Sequence, residues 1–207
     1  MKHIVILGSG AGWHHCPFEE YGKDVEVWGI AKMLMNKKFQ EMEHARIDKL
    51  FNMDDIMHMQ SFDPNSPHKV PYTLDYFIEV INKSKAELIT SYEYPELDNV
   101  KAFPLKKIVE LFGVFYYTNT ICFMLAYALW LDDVDKITFW GINQTGSIEY
   151  LRERRGVEFW IGLVTGMGIE LHIEGPSALL KPDRKLLYGY NRTQHELKEE
   201  FNIDIDL

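Results

Sequence analysis

The sequence predicts an α/β fold in which a mostly parallel sheet is covered by helices on both faces. Three observations carry that prediction. Short β-branched runs alternate with helical stretches, and that alternation requires βαβ crossovers. The first run, His3-Ile4-Val5-Ile6-Leu7, is apolar from Ile4 onward, the pattern of a strand buried on both faces. It delivers the chain into Gly8-Ser9-Gly10-Ala11-Gly12, a glycine-rich loop.

The remaining elements follow in order. Val25–Ile30 reads as a second strand and Lys49–Met53 as a shorter third, ending at Asp54-Asp55. A polar, proline-bearing loop over 61–71 precedes a helix at Leu74–Lys83, where Leu74, Phe77, Ile78 and Ile81 fall at helical spacing. Ala86–Thr90 is a strand, Pro104–Phe112 a helix with proline at its start, and Thr118–Leu131 a long apolar helix. Lys136–Trp140 is a strand ending at Gly141, and Ser147–Gly166 is helical with a break expected at Gly156. Ile169–Ile173 is the last strand, and Thr193–Phe201 a charged surface helix. One domain over 1–207 is expected, with a tail at about 188–207 that reads either as a C-terminal appendage or as a contact in a homo-oligomer.

Composition narrows the function classes. With 46% hydrophobic and 26% charged residues the chain is too apolar for disorder. Twenty-two Lys and Arg against 31 Asp and Glu give a net charge of −9, which repels the phosphate backbone that a generic nucleic-acid binder must neutralise. Cys16 and Cys122 signal no disulfide framework, so a reducing, cytoplasmic compartment is expected. Leu111–Leu131 carries no charge over 21 residues, long enough to cross a bilayer, but polar side chains fill its first half. It is expected to be a helix buried against the sheet.

Ligands of parallel sheets bind beyond the carboxyl ends of the strands. The residues there begin with Gly8, Ser9, Gly10 and Gly12, whose spacing lets backbone N–H groups approach a phosphate at a helix N-terminus. The pattern is neither G-x-G-x-x-G nor a P-loop, and a tight turn packing strand on helix reads equally from it. Thr118-Asn119-Thr120 combines a helix N-cap with a polar floor for a site. Trp13, Gly141, Asn143, Gln144 and Ser177 complete this rim, and Trp13, Trp28, Trp140 and Trp160 are read as near strand ends, where an indole stacks on a base or fills core. Arg152, Arg154 and Arg155, three arginines in four residues, either clamp a phosphate or form a solvated face with Glu158 pinning Arg154. His14 and His15 offer a general base near a bound nucleotide or an exposed pair. Asp54 and Asp55, with His58, offer oxygen and nitrogen ligands for Mg²⁺, or a helix cap.

The order of these motifs resembles a known family. Val5–Gly12, Val25–Ile30, Tyr117-Thr118-Asn119-Thr120 opening an apolar helix, Ile137–Asn143 ending in Gly-Ile-Asn, and Ile169–Lys181 look like the Campylobacter-type sialyltransferases. They are also similar to the wider Rossmann-like clan that contains the archaeal-type hydroxymethyl-dihydropterin pyrophosphokinases. The segment from Glu149 through Arg155 to Gly162 looks like uncharacterised bacteriophage proteins of this clan. The resemblance implies a Rossmann-like three-layer sandwich. It also implies a cytidine nucleotide held by Ser9 and Gly10, by Thr118, Asn119 and Thr120, and by Gly141 and Asn143. Where the family has aspartate after Gly-Ile, this chain has Asn143, and its loop residue Ser9 stands where the family has asparagine.

The expected function is transfer of a group, glycosyl first, from a nucleotide or nucleotide-sugar, with Arg152, Arg154 or Arg155 supplying charge and His14 or His15 removing a proton. The alternatives are a Mg²⁺-dependent pyrophosphokinase-like transfer using Asp54 and Asp55, and a non-catalytic binder that sequesters a small nucleotide.

Overall fold

The computed structural model describes residues 2–56, 72–181, 186–189 and 192–202. The loop expected over 61–71 and His58 lie outside them. Among the described residues there are seven strands: β1 Lys2–Leu7, β2 Val25–Ile30, β3 Lys49–Asn52, β4 Glu87–Thr90, β5 Val100–Ala102, β6 Val134–Trp140 and β7 Glu170–Glu174. They form one sheet in the order β5-β4-β3-β2-β1-β6-β7, and every pairing between neighbours is parallel. In the central register, Ile6 of β1 lies between Trp28 and Phe139. A parallel sheet needs cover on both faces, because its crossovers place helices there.

Alternation along β1 divides the core. Ile4 and Ile6 point into the larger cluster, which holds the buried residues of α3 (Leu105–Phe112), α4 (Thr120–Leu131) and α5 (Ile148–Gly166). Val5 and Leu7 point the other way, onto Trp13, Phe18, Met33 and Phe39. On that second face Leu50 and Leu88 pack against Phe77 and Ile81 of α2 (Leu74–Lys83). The result is a Rossmann-like three-layer sandwich, as the sequence predicts. α4 has eight buried residues distributed around its axis, the signature of a helix enclosed by protein rather than amphipathic at a surface. No helix among the described residues is long and apolar enough to cross a membrane. The uncharged stretch divides between the end of α3, a connecting segment over 113–119, and α4.

Three features differ from the expectation. α5 runs unbroken through Gly156, which is buried within it. The segment after β1 forms a short 3-10 turn, Trp13–His15, so the glycine loop does not feed an α-helix N-terminus. The short strand β5, and the five-residue helix α1 (Lys37–Glu41), are additional elements. The terminal helix α6 (Gln194–Phe201) is closed by a capping box between Thr193 and Glu196.

Candidate functional site

The connection from β1 runs to one side of it, through β2, and the chain later returns to its other side as β6, so strand order reverses between β1 and β6. Here the loops after the two strands are joined backbone to backbone. Gly8 N–H donates to Trp140 O and Gly10 N–H to Gly141 O, both at 2.8 Å. Gly10 has no alternative residue: a Cβ there would sit 1.8 Å from Asn143 Oδ1 and 2.7 Å from Gly141 O. Asn143 fastens the rim further by donating through Nδ2 to Ala11 O and Pro176 O, while Ala178 N–H donates to its carbonyl at 2.8 Å. The glycines thus let two loops meet, and the N–H groups of Ser9 and Ala11, both exposed, have no acceptor among the described residues.

Across the cleft stands the start of α4. Asn119 caps it by accepting from Cys122 N–H at 3.3 Å through Oδ1. That orientation turns Asn119 Nδ2 toward α5, where it donates to Glu153 Oε2 at 3.1 Å. Thr118 Oγ1 donates to the Glu153 carbonyl at 2.7 Å, an approach made possible by Gly156, whose absent Cβ would lie 2.1 Å from that hydroxyl oxygen. The glycine loop and the Thr-Asn-Thr turn therefore share one cleft of about 1240 Å³ at the carboxyl end of the sheet. It continues past Lys32, Asp54 and Asp55 on the β2 and β3 side.

Its charge is unexpected for an anion site. The described lining has four carboxylates, Asp54, Asp55, Glu149 and Glu153, against the single ammonium of Lys32. Desolvation raises the Glu153 carboxyl above the usual glutamate range; Glu149 and Asp54 reinforce this, while the Asn119 hydrogen bond and Lys32 oppose it. Two further lining groups lack partners among the described residues: Tyr117 Oη and Gln144 Oε1 are buried without a hydrogen bond. Burial pushes the Tyr117 phenol up to about 12. Gln144 is 9% exposed and holds the left-handed conformation at φ 52°, uncommon outside glycine.

The sequence-predicted residues divide accordingly. Gly8, Ser9, Gly10, Thr118, Asn119, Thr120, Gly141 and Asn143 line the cleft together. Trp13 does not: its indole is buried under the loop against Phe39, and Gly12 packs on Pro176. His14 and His15, exposed and with ring centroids 4.1 Å apart, also lie off the cleft lining. The arginines face elsewhere as well. Arg154 is engaged by Glu158 Oε1 at 2.7 Å and Lys181 O at 2.5 Å, and Arg152 and Arg155 are exposed. Ser177 spends its hydroxyl on Ile142 O at 2.7 Å. Trp28 and Trp160 are wholly buried, and Trp160 lies within α5, not at a strand end.

Asp54 and Asp55 both line the cleft, with Asp55 accepting from Tyr94 Oη at 3.1 Å. Among the described residues no three His, Cys, Asp or Glu side chains gather about a point where an ion would sit. Glu149 and Glu153 are the site residues that the sequence reading passed over. A signal existed: Glu153 heads the buried stripe Gly156, Val157, Trp160, Ile161 and Val164 at helical spacing, and Glu149 lies one turn before it.

No protein-family model matches the chain, and no characterised protein matches it in sequence. Solved structures do. The sialyltransferase CstII from Campylobacter jejuni, in complex with the substrate analogue CMP-3FNeuAc, superposes with a TM-score of 0.52 at 17% identity, covering 84% of this chain and 80% of that one. An alpha-2,3-sialyltransferase from Campylobacter jejuni in apo form superposes with a TM-score of 0.51 at 13% identity, covering 84% and 75%. The likeness to bacteriophage proteins finds no support in these structures. At such identities what is shared is the architecture, and the chain has the Rossmann-like fold of the Campylobacter-type sialyltransferases.

Proposed function

We propose that the cleft binds a nucleotide or nucleotide-sugar and transfers a group from it, glycosyl transfer being the first reading. The observation that carries this is the meeting of the two rims at the reversal of strand order: the glycine loop with the unpaired N–H groups of Ser9 and Ala11 faces the α4 start with its Thr-Asn-Thr side chains. Such amides suit a phosphate, and the hydroxyls and carboxamide suit a sugar or base. One relative in fold, the sialyltransferase CstII from Campylobacter jejuni, was crystallised with the substrate analogue CMP-3FNeuAc. With one lysine at the lining among the described residues, phosphate would be held chiefly by backbone dipoles, and catalysis would consist of placing donor and acceptor together and stabilising the leaving phosphate.

A second reading, Mg²⁺-dependent pyrophosphokinase-like transfer, draws on Asp54 and Asp55 at the same cleft. Mg²⁺ is commonly held by one or two carboxylates together with substrate phosphates. Calorimetric titration with CMP, CMP-sugars and nucleoside triphosphates, each with and without Mg²⁺, separates the two. A ligand at a hundred times its Kd adds about 2.7 kcal/mol of stability, which thermal unfolding reads independently. Binding of CMP without Mg²⁺, lost in Gly10→Ala because the added Cβ displaces Asn143, supports the first reading. Binding only of triphosphates with Mg²⁺ supports the second, and no binding of any nucleotide removes both.

A further inference from the structure

We propose that Glu153 is the proton acceptor of the cleft, taking the hydrogen of the attacking hydroxyl in the transfer reaction; this inference rests on the function proposed above. Glu153 is held at both its backbone and its side chain. Its backbone carbonyl is held by Thr118 Oγ1 at 2.7 Å and its Oε2 by Asn119 Nδ2 at 3.1 Å. Asn119 is itself oriented, because its Oδ1 is committed to capping α4. The other oxygen, Oε1, has no protein donor among the described residues. One oxygen is therefore anchored and one is left for a guest, the arrangement that a positioned base requires.

The surroundings favour basicity. Among the described residues three charged groups act on Glu153: Glu149 from one turn earlier on α5, Asp54 from the loop after β3, and Lys32 from the segment after β2. Two of the three are like charges, and desolvation exceeds the stabilisation by Asn119, so the carboxylate holds a proton more readily than an ordinary glutamate. The histidines near the glycine loop are not on the cleft lining, whereas Glu153 is one side chain from the Thr-Asn-Thr turn.

The step balances without a further reagent. The acceptor, a sugar hydroxyl or water, gives its proton to Glu153 Oε1, and its oxygen forms the new bond to the anomeric carbon. The bond from that carbon to the phosphate oxygen breaks, its electron pair leaving on the nucleotide phosphate. Glu153 then returns the proton to solvent.

The test uses the full chain and Glu153→Gln, which keeps an acceptor for Asn119 but cannot take a proton. Three readouts are combined: CMP binding by calorimetry, CMP release from CMP-NeuAc with water as acceptor across pH, and Tm across pH. E153Q is expected to bind CMP within about twofold of the wild type. It should release CMP at least about 100-fold more slowly and lose the acidic limb of the pH–rate profile. Its Tm should exceed that of the wild type at pH 8 and converge with it in acid. The reason is that a carboxyl whose folded-state value is raised makes the native state less stable as pH climbs past the ordinary glutamate value. E153Q that turns over at the wild-type rate, keeps the acidic limb, or melts lower at pH 8 overturns the proposal. A wild type that binds CMP yet releases none from CMP-NeuAc removes it together with the transfer reading, a result distinct from the failure of Glu153 alone.

Discussion

Adding one methyl group at Gly156 tests how the site is built. Within a helix, Gly→Ala ordinarily gains about 1 kcal/mol from backbone entropy. Here the new Cβ would lie 2.1 Å from Thr118 Oγ1, 2.8 Å from its Cγ2 and 3.0 Å from its Cβ. Oγ1 and Cγ2 fill two of the three staggered positions on Cβ, so every rotamer leaves a heavy atom in the space of the new methyl and the backbone over 116–119 must shift. Overpacking of this kind costs about 1–3 kcal/mol, and losing the Thr118 to Glu153 hydrogen bond costs about 1 kcal/mol more. Gly156→Ala is therefore expected to destabilise by about 1–3 kcal/mol net, lowering Tm by roughly 3–10 °C for a chain of this length. Thermal unfolding by circular dichroism reads the change. The combination with Thr118→Ala identifies its cause, since removing Oγ1 and Cγ2 leaves only the 3.0 Å contact. The double variant should melt within about 2–4 °C of Thr118→Ala alone. A stabilised Gly156→Ala, or a double variant no better than the sum of its parts, refutes the claim that this glycine exists to seat Thr118.

Two other outcomes follow from the same accounting. Tyr117→Phe removes a buried hydroxyl that has no partner while keeping the ring stacked on Phe123 and Trp160; it should raise stability by about 1 kcal/mol in the ligand-free chain, and a lower Tm would show that the hydroxyl is satisfied. On β4, burial raises the Glu87 carboxyl, but hydrogen bonds and charges from Lys101 and Lys49 outweigh it and hold it below the ordinary value of 4.5. A depressed acid contributes stability above its unfolded value and loses it as pH falls through its folded one. Glu87→Gln should accordingly lower Tm at pH 7, leaving two lysines facing each other, and match the wild type once the solution is acidic enough to protonate Glu87. An equal difference at both pH values would place the effect in packing instead.

Much of the architecture was legible because the signals are local. Buried parallel strands need uninterrupted β-branched and aliphatic residues, and β2 and α2 emerge over the same residues that the sequence indicates. The Thr118-Asn119-Thr120 turn was legible as the cap of α4, and Asn119 supplies it, since a side-chain oxygen ahead of an apolar run has few other uses. β5 escaped notice because it is a three-residue edge strand, partly and fully exposed, without apolar alternation to announce it. Gly156 was misread as a break because isolated glycine lowers helix propensity; the contact with Thr118, 38 positions earlier in the chain, decides otherwise.

The sequence by itself determined the sheet, the two layers of helices and the two polar turns that rim the cleft, all of which follow from the order of apolar and capping residues along the chain. Only the tertiary structure decided which charges look into that cleft. α5 rotates to bury Gly156, Val157, Trp160, Ile161 and Val164, and that rotation carries Glu149 and Glu153 inward with the stripe while Arg152 and Arg155 turn to solvent. Likewise the 3-10 turn that buries Trp13 leaves His14 and His15 outside. A run of mixed charge has no preferred face of its own. The apolar residues sharing its helix set the angle, because the free energy of burying them far exceeds that of any exposed ion pair.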